Sequence, residues 1–214
     1  MRYHWKWTVT GLICLVAACG SSSAAGPQAK TIAQHEAAAA AEEGQASSYC
    51  QGGNEATCSS DRANSEAKKL REMAVHHRAA AKALRDAEER ACEGMSAKDR
   101  DKSPFLRGAE IRSVSQLRGM FGEAGEDFAG ATIVFRAEPG VTAEWLQRVV
   151  DCHLARDAAV GSDTSEMAMC PLAIPGVGAT VASFADGFAV EVLSDNDATA
   201  AEIWRRAQRI PVRP

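Results

Sequence analysis

The sequence predicts an α+β protein: an N-terminal antiparallel α-helical hairpin, then a small β-α-β-β-α domain of the ferredoxin-like type or a relative. Three observations carry that reading. Residues 31–94 hold an alanine-rich stretch and a second segment whose apolar positions recur by three and four, which is helical periodicity. Alternating apolar residues flank Asp186-Gly187, a β-hairpin signal. A strand-like run at Ala131–Ala137 precedes an amphipathic helical segment. That order suits helices packed on one face of an antiparallel sheet.

The first helix should run from about Gln28 to Ala46, where alanine supplies high intrinsic propensity. Glycines, Asn54 and serines in residues 47–60 break it. Ser60 or Asp61 can cap a second helix reaching about Glu93, with Gly94 as its stop. Its seam is Ala63, Ala67, Leu70, Ala74, His77, Ala81, Leu84 and Ala91. Alanine lets two helices approach closely but buries little area, so the hairpin alone should be marginal. Residues 95–104 are charged, lack periodicity and end in Pro104, which marks a linker before a domain over 105–214. Lysine is absent after Lys102 and every later basic residue is arginine, a change of composition at the same boundary.

In the second domain Pro139-Gly140 turns the chain and Thr142 can cap a helix from about Ala143 to Ala159. Its inner face is Leu146, Val149, Val150, His153 and Leu154. A loop rich in Gly, Ser and Pro leads to strands at Ala179–Ala185 and Gly187–Leu193. Asp195 or Asp197 can cap a last helix through Ile203, Trp204 and Ala207. A further strand near Glu110–Leu117 would extend the sheet.

The start of the chain reads as an address. Arg2, His4 and Lys6 precede an apolar run from Thr8 to Ala18. A membrane-spanning helix needs about 20 apolar residues, so this run has the length of a secretory signal instead. It ends in Leu15-Val16-Ala17-Ala18-Cys19, which resembles the lipobox of bacterial lipoproteins. The resemblance implies a signal peptide over 1–18, a thioether-linked diacylglycerol on Cys19, and N-acylation after cleavage. Residues 19–30 would then be the lipidated cysteine and a flexible tether. Gly20 in place of an aspartate points to the outer membrane, facing the periplasm. More loosely, the lipobox together with residues 73–92, 144–156 and Cys170-Pro171-Leu172 resembles uncharacterised lipoproteins of myxobacterial type. That resemblance implies location and architecture but no activity.

An exported protein meets an oxidising compartment, where cysteines pair by default. Of seven cysteines, Cys14 leaves with the signal and Cys19 takes the lipid. Cys50 and Cys58 can meet across the hairpin tip. Cys152 and Cys170 are expected to pair and tether the long loop. Cys92 is left over. It ends a helix whose 1.5 Å rise per residue places it roughly 45 Å from the tip. It is expected as a buried thiol, with intermolecular pairing or reactivity as alternatives.

Folding the hairpin about residue 53 brings His35 near His76 and His77. Three imidazoles with Glu36 or Glu72 would suit zinc or copper(II). The competing reading is solvated histidines on a polar face. G-x-S-x-G, H-E-x-x-H, P-loop and C-x-x-C motifs are all absent from the sequence. A thiol nucleophile at Cys152 is disfavoured, because its neighbour His153 diverges on a helix. The net charge of −4 disfavours nucleic acid as a partner. The expectation is a non-catalytic, lipid-anchored envelope protein contacting an envelope protein or polymer. The alternative is a periplasmic zinc- or copper-binding lipoprotein with no other cofactor.

Overall fold

The computed structural model describes residues 30–50, 58–106, 110–119, 127–161 and 169–212. The expected signal peptide, Cys19 and nearly all of the expected tether lie outside the described residues. What is described is mixed helix and antiparallel sheet, an α+β protein.

Helix α1 (Ile32–Tyr49) starts at a capping box: Thr31 Oγ1 accepts from the Gln34 backbone, and the Gln34 side chain accepts from the Thr31 N–H. That reciprocal pair satisfies donors that a helix N-terminus otherwise leaves open. Helix α2 (Asp61–Ala91) is capped by Ser60 and ends before Gly94, whose φ of +71° suits a residue without Cβ. Along α2 the seam positions Ala63, Ala67, Ala74 and Ala81 are buried, and Ala39 and Ala46 of α1 are buried with them. Cys50 and Cys58 are disulfide-bonded where the two helices join. Outside the seam Arg78 pairs with Glu43, and Arg85 with Glu36.

Residues 95–106 are more ordered than a linker. They form a short helix α3 (Ala97–Asp101), capped by Ser96, and a 3₁₀ turn (Pro104–Leu106). Ser103, Pro104 and Phe105 are buried, and Phe105 joins the main core.

The sheet has strands β1 (Ile111–Gly119), β2 (Asp127–Arg136), β3 (Gly178–Phe184) and β4 (Gly187–Leu193), in the order β1-β2-β4-β3. Every neighbouring pair is antiparallel. Helix α4 (Ala143–Val160), capped by Thr142, connects β2 to β3. Helix α5 (Asp197–Ala207) follows β4 and is capped by Asn196, between the two expected aspartates. The side chains of Ile111, Ile133, Phe135, Leu146, Val150, Leu172, Val190, Val192 and Ile203 form one core.

Two details depart from the sequence reading. β1 carries irregularities after Ile111 and after Leu117. The first lets Ile111 pair with Phe135 and Val114 pair with Ile133, so residues three apart reach the same face. Gly187 is also not a turn residue. The two-residue turn is Ala185-Asp186, with Ala185 at φ +49°. Gly187 opens β4, where a Cβ would collide with the backbone carbonyl of Phe135. The glycine therefore permits a close approach of backbones.

Candidate functional site

The face between α1 and α2 gathers the described polar cluster with the most chemical capacity. His35 and Glu42 are seven residues apart on α1, two helical turns along one face. His77 lies in the α2 seam opposite them. The alanines beside it bring the helix backbones close enough for side chains of moderate length to touch. His35 Nδ1 and His77 Nδ1 lie 2.8 Å apart. The ring centroids are 5.1 Å apart and the planes tilt by 50°. At that separation one imidazole donates a single proton to the other. His77 turns its Nε2 toward Glu42, 3.4 Å from Oε1. The other carboxylate oxygen, Oε2, is buried without a hydrogen-bond partner among the described residues.

Desolvation first, then the facing His77, then Lys30, hold the His35 imidazole below its ordinary pKa. His35 therefore favours its neutral form, so one of the two facing nitrogens carries the proton and the other a lone pair. Neutral imidazoles that converge on one point are electron-pair donors.

His76 is not part of this cluster. It is exposed on α2, about 100° around the helix from His77. The expected set of three imidazoles is therefore not assembled, and only His35 and His77 come together. Among the described residues no group of three or more His, Cys, Asp or Glu side chains is arranged to hold a metal ion. Glu42 is the residue the sequence reading missed. Its signal was the seven-residue spacing from His35.

The cysteines also rearrange. Cys50–Cys58 forms as expected. Cys152 does not pair with Cys170; it bonds to Cys92, 60 positions away. The reason is which side of α4 each residue faces. Val150 points into the core where Cys170 lies, and Cys152, two residues on, points about 200° away. That outer side receives the end of α2. Arg148 donates to the Glu93 carbonyl at 2.6 Å, one turn before Cys152. Arg156 meets Glu88 at 3.1 Å, one turn after it. Arg148, Cys152 and Arg156 thus form one stripe that matches Glu93, Cys92 and Glu88.

Cys170 remains a free thiol, buried in the core with Sγ 3.1 Å from Ser103 Oγ. Burial pushes its pKa up, against the hydrogen bond from Ser103. A protonated, enclosed thiol is inert. His153 is buried and its Nε2 donates to the Lys102 carbonyl at 2.5 Å, so it pins the 95–106 segment to α4. The cavity lined by Phe135, Trp145, Leu146 and Val149 measures about 10 Å³, room for one water at most. No helix among the described residues is long and apolar enough to cross a membrane. The chain matches no family model, and comparison with curated proteins and with solved structures gave no match.

Proposed function

We propose that this chain is an exported, lipid-anchored lipoprotein of the cell envelope with a non-catalytic binding or structural role. One observation carries the proposal: two disulfides, Cys50–Cys58 and Cys92–Cys152, close within the described residues. Paired cysteines persist in oxidising compartments and are rare in the cytosol. That environment agrees with the signal-like start and the lipobox-like Leu15–Cys19. In this reading Cys19 is acylated, residues 19–30 span the headgroups, and the folded part contacts an envelope protein or polymer at the outer membrane. Each buried CH₂ adds about 0.8 kcal/mol, so several acyl chains on one residue hold a soluble domain stably.

The architecture extends this reading. We infer that α1 and α2 form a helical hairpin over 31–94 and that 105–214 is a ferredoxin-like sandwich in rearranged chain order. The order β1-β2-β4-β3 supports it. Strands β2, β3 and β4 with α4 and α5 make a β-α-β-β-α unit, and β1 supplies the fourth strand from the N-terminal side. The hairpin and the sandwich would then be two modules joined by 95–104 and stapled by Cys92–Cys152.

Replacing Cys19 with Ser tests the anchor. The expected result is release from membranes and loss of the acyl mass by intact mass spectrometry. A Cys19→Ser protein that stays membrane-bound without an acyl group overturns it.

A further inference from the structure

We propose that His35 and His77 form a two-nitrogen binding site for one borderline transition-metal dication, zinc or copper(II), with Glu42 as the positioning residue. Three observations converge on it. First, the two Nδ1 atoms face each other at 2.8 Å. Ligating nitrogens sit about 2.0–2.1 Å from zinc, so a tetrahedral angle at the metal asks for a separation of roughly 3.3 Å. Side-chain rotation of about half an ångström supplies the difference, while α1 and α2 stay in place. Second, Glu42 lies at the far nitrogen of His77, 3.4 Å from Nε2. A carboxylate there keeps the ring proton on Nε2 and leaves the Nδ1 lone pair for a metal, the usual outer partner of a ligating histidine. Third, Glu42 Oε2 is buried with no hydrogen-bond partner among the described residues. A cation on the imidazole next to it offsets that charge.

Two imidazoles suit zinc and copper(II) better than magnesium or calcium, which take oxygen ligands. Solvent or a ligand from a partner completes the coordination sphere, so the site is open and the metal exchangeable. On binding, the metal takes the place of the single proton between the two Nδ1 atoms; that proton moves to Nε2 of His35, so the neutral ring changes tautomer and no net proton is released. Lys30 near His35 opposes the dication. The inference is independent of the lipid anchor, since the site lies wholly within α1 and α2.

The test is calorimetric titration of the full chain, disulfides formed, with zinc chloride and separately with copper(II) chloride. One ion should bind per chain with about micromolar affinity, with a binding heat that does not depend on the ionisation heat of the buffer. His35→Ala and His77→Ala should each abolish binding at metal concentrations that saturate the parent. His76→Ala should leave it unchanged. Glu42→Gln should weaken it by about 10–100-fold, the range for outer-sphere partners of ligating histidines. Copper(II) electron paramagnetic resonance of the parent should show two imidazole nitrogens. Far-ultraviolet circular dichroism establishes that the variants fold. Absence of binding by the parent, survival of binding in folded His35→Ala or His77→Ala, or a loss in His76→Ala equal to theirs overturns the proposal.

Discussion

The α1–α2 pair and the sheet-centred body are held together by different means. The body buries branched and aromatic side chains from the sheet, α4 and α5 in one core, among them Ile133, Phe135, Val150, Val190 and Ile203. The compact cluster between α1 and α2 is Ala46, Cys50 and Ala67, with Cys58 and Leu70 at its margin. An alanine removes little apolar surface from water, so each contact in the pair contributes far less. What the pair gains is proximity. Small residues bring the backbones together and leave polar side chains such as His35, Glu42 and His77 to meet beside the seam. A region that is poor in core is thereby rich in chemistry, and two disulfides offset the deficit.

The largest effect should come from the staple. In the chain-entropy model a bridge closing a loop of this length stabilises by about 4 kcal/mol. The Cys92→Ala/Cys152→Ala variant should lose roughly that much, measured by denaturant unfolding. Hydrogen exchange should show α1 and α2 losing protection first while the sheet keeps its own. Equal loss in both regions would erase the contrast drawn here. Next is Ile133→Ala in the sheet, which empties a fully buried site and should cost about 3 kcal/mol. Ala74→Leu adds volume to a seam with no spare room and should cost about 2 kcal/mol. A neutral or stabilising Ala74→Leu would mean that the seam is looser than its burial indicates.

The smallest effect is a pH dependence. Burial holds the His153 pKa below 6.5, although the Lys102 carbonyl raises it somewhat. Above pH 6.5 folded and unfolded chains are both neutral at this residue. As pH falls through 6.5, the unfolded chain takes up a proton that the folded chain refuses, and stability drops. Denaturant midpoints should therefore decline from about pH 7 to about pH 5. His153→Gln should decline less steeply over the same range. A slope unchanged by the substitution would assign it to other groups.

Local signals in the sequence were legible because they act within a few residues. The Thr142 cap, the Ser60 cap, the α2 seam and the strands on either side of residues 185–186 all fall within a residue or two of expectation. β1 was harder to read because its bulge sets Ile111 and Val114 three apart, which breaks the alternation of a strand. The cysteine pairing was misread because it depends on how α2 docks on α4, over 60 positions of chain. The stripe Arg148, Cys152, Arg156 against Glu88 and Glu93 was present in the sequence. Its meaning needed the crossing of two helices that no local pattern specifies. For the histidines, folding the chain about residue 53 brought His35 near His76 and His77, and the structure places His35 against His77. The single-residue phase of α2 separated His77 from His76, and the role of Glu42 emerged only from a side chain two turns away.

The Cys92–Cys152 bond also sets how far the molecule can be stretched. A chain pulled at its ends gains length only from segments outside its covalent loops. With 60 positions shunted by this bond and about 3.5 Å of contour per residue, the oxidised protein withholds roughly 200 Å of extension. Reduction turns the same chain into a much longer one, a difference that single-molecule force spectroscopy with and without reductant would read directly as contour length.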